Sequence, residues 1–84
     1  MSFYVYLIIT KDKHKLISYV GYTNNLKSRL KKHNSSLGAK FTRGRKWKLI
    51  YQKKYSTKKK ALSEEYMLKK NYKLRKEIKE KYIK

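Results

Sequence analysis

The stretch Tyr19-Val20-Gly21-Tyr22-Thr23 decides the fold, because it predicts where a strand ends and a helix follows. On that helix Arg29 and His33 are four residues apart. Their side chains therefore share one face and point toward the preceding strand. An arginine, a histidine and a tyrosine that converge in a basic protein are suited to phosphodiester chemistry.

Alternating side chains on the N-terminal side of this junction predict a hairpin. Residues 3–10 alternate and are rich in β-branched and aromatic side chains, and residues 16–22 predict a second strand. The polar residues 11–15 connect the two strands as an antiparallel pair. Thr23 or Asn24 is expected to cap the following helix. That helix carries an i, i+3, i+4, i+7 stripe of Leu26, Arg29, Leu30 and His33.

The C-terminal half predicts one more strand and two more helices. Residues 39–46 read as a basic loop, residues 47–55 as a third strand, and Ser56 or Thr57 as the cap of a helix that ends near residue 70. Asn71 marks a bend before a last, charged helix over residues 71–84. We predict an α+β fold in the order ββαβαα, with a small three-stranded antiparallel sheet flanked by helices. One domain is expected over residues 1–84, with its core in residues 3–70.

Charge points to an acidic partner. Twenty-five Lys and Arg against five Asp and Glu give a net charge of +20, which opposes compaction and favours an acidic polymer as ligand. Nucleic acid is the favoured ligand, and an anionic membrane surface is the alternative. The absence of cysteine excludes disulfides and a thiol nucleophile. The short apolar run before Lys11 is neither a signal peptide nor a membrane span, so an intracellular, cytoplasmic protein is expected.

Glu65 is an unusual acid. It lies on the same stripe of the second long helix as Ala61, Leu68 and Tyr72, whereas Glu64 falls on the solvent side. A carboxylate that faces a core is costly unless it is paired or binds a metal. A salt bridge to a lysine or to Arg29 is one explanation. The other is a magnesium ion that keeps several waters and also binds substrate phosphate.

These residues, in this order, resemble the GIY-YIG endonuclease superfamily. The first motif is Tyr4-Val5-Tyr6, with tyrosine in place of the leading glycine, and the second is Tyr19-Val20-Gly21. Arg29, His33 and Glu65 match the family's later positions. The run at residues 38–44 is similar to that of the short stand-alone bacterial members and of the SLX-type nuclease domain.

The resemblance implies a role for each of these residues. Tyr6 would activate water, and Tyr19 would bind the scissile phosphate or share the proton relay. Arg29 would stabilise charge on the phosphate, and His33 would orient a tyrosine or assist proton transfer. Glu65 would hold a single Mg²⁺ or Mn²⁺ ion. Tyrosine has a pKa of about 10, so nearby cations must favour its phenolate if it is the base. Which tyrosine is the base stays open.

The basic loop and its neighbours complete the prediction. Lys40, Arg43 and Arg45 are expected to contact phosphates, with a solvated loop as the alternative, and Trp47 is expected in the core. Gly21 is expected to serve the turn into the helix.

We therefore predict a metal-dependent endonuclease that acts on DNA, with RNA as a second possibility. Such an enzyme would recognise backbone and shape and could be structure-selective in repair or recombination. The alternative is a non-catalytic nucleic-acid-binding module on the same fold.

Overall fold

A computed structural model describes residues 2–35, 37 and 40–83, without the side chain of the last of these. The strands are β1 (Phe3–Asp12), β2 (Lys15–Thr23) and β3 (Lys48–Tyr55). The helices are α1 (Leu26–Asn34), α2 (Lys58–Lys70) and α3 (Tyr72–Ile83), with a short 3-10 helix at Lys40–Thr42. The predicted α+β class and the order ββαβαα are confirmed. Within the described residues, no helix is long and apolar enough to cross a membrane.

The first strand is the centre of the molecule. β1 pairs antiparallel with both neighbours, so the strand order is β2-β1-β3. Every residue from Val5 to Thr10 is buried, because neighbouring strands cover both edges of β1 and helices cover both faces. The register with β3 shifts between Leu7 and Ile8. The apolar N-terminal run is therefore a core strand.

The two faces of the sheet carry different layers. Val5, Leu7 and Val20 form one cluster with Ala61 and Leu68 of α2. On the opposite face a second cluster consists of Tyr6, Ile8 and Trp47, and the side chains of Ile17, Tyr19, Leu26, Leu30 and Leu49 pack against it. The predicted position of Trp47 in the core is thus confirmed. Tyr6 consequently faces α1, and α2 covers the other side.

The hairpin and the first helix differ from prediction at their boundaries. The β1–β2 turn contains only Lys13 and His14, because Asp12 pairs with Lys15 in the ladder. Lys13 adopts a φ of 59° at this tight turn. The cap of α1 is Asn25, whose Oδ1 accepts a hydrogen bond from the Ser28 N–H at 3.1 Å. The prediction of Thr23 or Asn24 as the cap was wrong, although Thr23 Oγ1 accepts a hydrogen bond from the Asn25 N–H.

Asn71 ends one helix and begins the next. Its N–H donates to carbonyls at the end of α2, and its Oδ1 accepts from the Leu74 N–H, which caps α3. Arg75 Nη1 also donates to the carbonyls of Leu68 and Lys69, in the last turn of α2, where carbonyls lack intrahelical partners. The break moves Tyr72 off the α2 stripe, and its side chain is exposed rather than core-facing as predicted.

Gly21 has a packing role rather than the predicted turn role. It lies within β2 directly opposite Tyr6. A Cβ at this position would come within 2.6 Å of Tyr6 Cζ and closer still to the hydroxyl. The phenol ring of Tyr6 therefore lies across β2 in the space that a side chain would occupy.

We expect Gly21→Ala to lower the free energy of unfolding by about 1–3 kcal/mol, the usual cost of overpacking a core. Tyr6→Leu should relieve the clash, so the double variant should lose less stability than the sum of the two single losses. Urea denaturation of the four proteins measures this coupling. Additive losses would show that the contact with Tyr6 is not the reason for glycine.

Candidate functional site

The hydroxyl of Tyr6 is the meeting point of the predicted site residues. Its side chain comes from the central strand and is only 2% exposed. Tyr6 Oη lies 2.8 Å from His33 Nε2, and Arg29 Nε donates to the same oxygen at 3.4 Å. One phenol oxygen thus joins the sheet to both predicted site residues of α1.

His33 is the innermost member of this group. It is fully buried, and its Nδ1 lies 2.9 Å from Thr42 Oγ1 on the 3-10 helix. Burial, followed by the charge of Arg29, lowers the pKa of His33 below its ordinary value of 6.5. The imidazole is therefore neutral near pH 7, and its two ring nitrogens bridge Tyr6 and Thr42.

Burial also decides the acidity of Tyr6. Removal from water raises the pKa of Tyr6 above 10.0, although the hydrogen bond and the charge of Arg29 act in the opposite direction. Nearby Tyr19 and Glu65 raise this pKa further. Cations must favour the phenolate if Tyr6 is the base, and the net effect is in the opposite direction. Arg29 is the cation that lowers this pKa, and its effect is smaller than that of burial.

Arg29 connects the two tyrosines. Its pKa is raised, first by the hydrogen bond to Tyr6 and also by contact with Tyr19. The guanidinium has five N–H donors, and the Nε donor is the one that contacts Tyr6. Arg29 also lines an open cleft of about 420 Å³ together with Ser28, Lys32 and Lys58. A positively charged concave surface therefore adjoins the buried hydroxyl.

Tyr19 is more open than Tyr6. Its ring meets the His33 ring edge-on, with centroids 5.3 Å apart, and its side chain is half-buried. It also stacks against Phe41, with centroids 6.1 Å apart. The two motif tyrosines thus differ in environment: Tyr6 is sealed in the network, and Tyr19 lies between the network and solvent.

Glu65 approaches this network from α2. Its side chain is 16% exposed and forms an ion pair with Lys69 at 3.8 Å. A lysine partner was one of the two explanations offered from the sequence, and Lys69, whose side chain is 52% exposed, is that partner. The carboxylate is close enough to Tyr6 to raise the pKa of that phenol. Glu64, predicted on the solvent side, is instead half-buried, and its Oε1 lies 3.5 Å from the Tyr55 hydroxyl.

The site offers one carboxylate to a metal. Across residues 2–35, 37 and 40–83, no group of three or more His, Asp, Glu or Cys side chains is arranged to hold an ion. Magnesium is commonly bound through one or two carboxylates, several waters and substrate phosphates. Glu65 fits that kind of site and does not fit a cage made of protein ligands alone.

The predicted phosphate-binding cations separate into two environments. Lys40 and Arg43 are exposed, in keeping with a role at a polyanion surface. Arg45 is half-buried, pairs with Asp12 at 3.5 Å and lies over the Phe41 ring. Residue 39 of the predicted loop, and residue 38 of the run at residues 38–44, lie outside the described residues.

Two residues that position the site were missed from the sequence. Thr42 is fully buried; its Oγ1 contacts His33 and its carbonyl accepts from Trp47 Nε1. Asn34 exchanges two hydrogen bonds with the backbone of Trp47, which fixes the end of α1 against the start of β3. Thr42 lies within the quoted run at residues 38–44, where a small polar residue among basic ones was the available signal.

The family of this chain is identified by the arrangement of Tyr6, Arg29 and His33 together with comparison with known proteins. Residues 2–82 match the family model described as the GIY-YIG catalytic domain. The chain therefore belongs to the GIY-YIG domain family, a family of nucleases, whose ligands are nucleic acids.

Its relatives are bacterial proteins named UPF0213. A UPF0213 protein of Bacillus licheniformis is 45% identical over 83 residues, covering 98% of this chain and 79% of the relative. One from Clostridium perfringens is 47% identical over 68 residues, covering 80% and 70%. The solution NMR structure of a UPF0213 protein from Bacillus halodurans has a TM-score of 0.53 and 38% identity, covering 92% of this chain and 80% of that one. The chain is thus similar to short proteins of this group over most of its length.

The lowered pKa of His33 predicts how stability depends on pH. The unfolded chain binds a proton at this residue near pH 6.5, whereas the folded protein resists it, so stability falls as the pH drops below about 6.5. The slope contributed by His33 approaches about 1.4 kcal/mol per pH unit.

Urea denaturation across this pH range should show that His33→Gln loses this component. His14→Gln is the matched control, since His14 is exposed in the hairpin turn. An unchanged slope in His33→Gln would contradict a buried neutral imidazole.

Proposed function

We propose that this protein is an endonuclease that hydrolyses DNA phosphodiester bonds with Mg²⁺ or Mn²⁺ as its cofactor. The observation that carries the proposal is the shared hydroxyl of Tyr6, which contacts His33 and Arg29 and feels the charge of Glu65. A binding module needs cations at its surface. It does not need a buried tyrosine–histidine pair whose hydroxyl also contacts an arginine.

Tyr6 and His33 together act as the base. Because His33 is neutral, its Nε2 accepts the Tyr6 hydroxyl proton while Nδ1–H donates to Thr42 Oγ1. As water attacks phosphorus, its proton passes to Tyr6 Oη and the phenol proton passes to His33 Nε2. This relay requires no phenolate in the resting protein, so the raised pKa of Tyr6 does not oppose it.

Arg29 and Tyr19 bind the phosphate. The remaining guanidinium donors of Arg29 are directed to the phosphate oxygens, where negative charge increases in the transition state. Tyr19 contacts Arg29 and is half-open to solvent, so its hydroxyl donates to the phosphate and Tyr6 retains the proton-transfer role. The two tyrosines of the motifs thereby receive separate functions.

Glu65 is the proposed ligand of the divalent ion. When bound, the ion neutralises charge on the departing 3′ oxygen. Glu65 supplies one carboxylate oxygen donor, and Lys69 must then give up its ion pair with that carboxylate. The Lys69 side chain is 52% exposed, so its ammonium group returns to water when the pair opens.

DNA is the proposed substrate, and selection of branched or flapped DNA belongs to the same proposal. The family acts on nucleic acid, and the net charge of +20 favours a polyanion. Lys40 and Arg43 are exposed and available to neighbouring phosphates. Backbone contacts of this kind position the duplex without reading its sequence.

A non-catalytic DNA-binding module is the second candidate. The Glu65–Lys69 ion pair favours it, because the acid already has a cationic partner. The two functions differ in whether Glu65 is needed after DNA has bound.

We expect wild type to nick supercoiled plasmid or branched DNA with Mg²⁺ or Mn²⁺, and Glu65→Gln to reduce that rate by about 100-fold or more. The reason is the loss of several kcal/mol of metal-dependent charge stabilisation. Glu80→Gln, which removes an exposed acid from α3, is the matched control and should keep wild-type activity.

Binding of the same DNA without divalent ions should be similar in all three proteins. A wild type that binds but nicks no substrate would support the non-catalytic module. Full activity in Glu65→Gln would remove the metal assignment.

Salt dependence tests the electrostatic part separately. If about six phosphates are neutralised, the logarithm of the affinity for duplex DNA should fall linearly with the logarithm of the salt concentration. The expected slope is about −5. Fluorescence anisotropy titrations at several potassium chloride concentrations give this slope. A flat response would contradict the role of the net charge.

A further inference from the structure

Phe41 is an exposed aromatic residue on a fixed support. Its side chain is 52% exposed, yet the next residue, Thr42, is fully buried and contacts His33. The Phe41 ring stacks on Tyr19 with an interplanar angle of 21°, and its centroid lies 6.2 Å from that of Trp47. Exposing an aromatic side chain is unfavourable in water, and here it lies next to a proposed phosphate-binding tyrosine.

The surface around this ring is a cationic groove. Phe41 and Tyr19 line an open groove of about 320 Å³ together with Lys69 and Arg75. Arg75 is held in place by its hydrogen bonds to the carbonyls at the end of α2. An aromatic wall therefore faces two cations from the helical layer.

Arg45 extends the aromatic surface. Its guanidinium lies 5.2 Å from the Phe41 centroid, and Asp12 pairs with it at 3.5 Å. Nucleobases stack on aromatic rings and on guanidinium planes alike. The ring and the guanidinium thus form one supported surface beside the groove.

We propose that Phe41 and Arg45 form a stacking platform for an unpaired nucleobase, with Lys69 and Arg75 binding the phosphates of the same strand. The choice of nucleic acid as ligand rests on the proposed function. Sequence-independent single-strand sites combine a basic groove with aromatic platforms in this way. Bases of an intact duplex are stacked on each other and cannot reach Phe41.

Because the platform binds an unpaired base, the site itself distinguishes DNA with unpaired nucleotides from fully paired duplex. A flap, gap or single strand presents a base to Phe41 and places the adjoining phosphate near Tyr19. A fully paired duplex gains only the phosphate contacts. The nuclease should accordingly prefer substrates with an unpaired nucleotide at the cleavage position.

The test compares affinities for single-stranded oligothymidylate and for blunt duplex DNA by anisotropy, without divalent ions. Phe41→Ala should bind the single strand about 5- to 100-fold more weakly, the range for loss of one stacked base, and bind duplex within about twofold of wild type. Phe41→Trp should restore single-strand affinity. Tyr66→Ala is the matched control: Tyr66 is 56% exposed and lies beside Lys70, but it does not line the groove.

A 2-aminopurine within the oligothymidylate reports stacking directly. Its fluorescence should be quenched by wild type and by Phe41→Trp, and not by Phe41→Ala. Thermal unfolding checks each variant; if Phe41→Ala does not fold, Phe41→Leu keeps the apolar bulk, lacks the ring and should show the same binding loss.

Equal changes for single strand and duplex, or no change in either, would overturn the platform. The assay involves no cleavage, so its outcome is independent of the nuclease proposal. A protein that never nicks but shows the Phe41-dependent preference would lose the enzyme function and keep the platform. A protein that nicks without that preference would lose only the platform.

Discussion

The hydrogen bond between Tyr6 Oη and His33 Nε2 is the interaction on which the site depends. It joins the central strand to α1, and it is possible because Gly21 leaves the adjacent strand without a side chain. Thr42 holds the far side of the imidazole, so the 3-10 helix is tied to the same group. A buried chain of polar groups is favourable only when every group has a hydrogen-bond partner. This requirement fixes β1, α1 and the 3-10 helix relative to one another.

Burial controls the protonation of Tyr6 and His33. A phenolate base would require nearby cations, but solvent-exposed lysines act weakly beyond about 10 Å. Burial dominates instead: it raises the pKa of Tyr6 and lowers the pKa of His33, so both groups are neutral. Neutrality is what a relay needs, since a neutral imidazole accepts a proton that an imidazolium could not. The lowered pKa leaves His33 without a proton near pH 7, and the raised pKa of Tyr6 keeps the phenol proton on oxygen until water attacks.

Local patterns predicted the elements well because strand alternation and helical spacing are short-range signals. The stripe with Arg29 and His33 and the break at Asn71 were of this kind, and both are found. The errors arose where adjacent residues could fill the same role or where the chain changes direction. Asn25 rather than Thr23 or Asn24 caps α1, and Tyr72 leaves the α2 stripe because the chain turns at Asn71. Thr42 was missed because its hydrogen bonds to His33 and Trp47 join different elements and follow no helical or strand periodicity.

The exposed cations of this chain and the cation held by the buried network are suited to different tasks. Exposed residues such as Lys40 and Arg43 supply long-range attraction, which brings a polyanion to the surface without selecting a geometry. Selection requires fixed groups, and the fixed cation at the site is Arg29, whose guanidinium is held by the buried phenol. Tyr19 contacts that guanidinium and stacks on Phe41, so the proposed phosphate site and the exposed aromatic ring are neighbours. Attraction by exposed lysines and orientation by one buried network are therefore distinct tasks, suited to different residues.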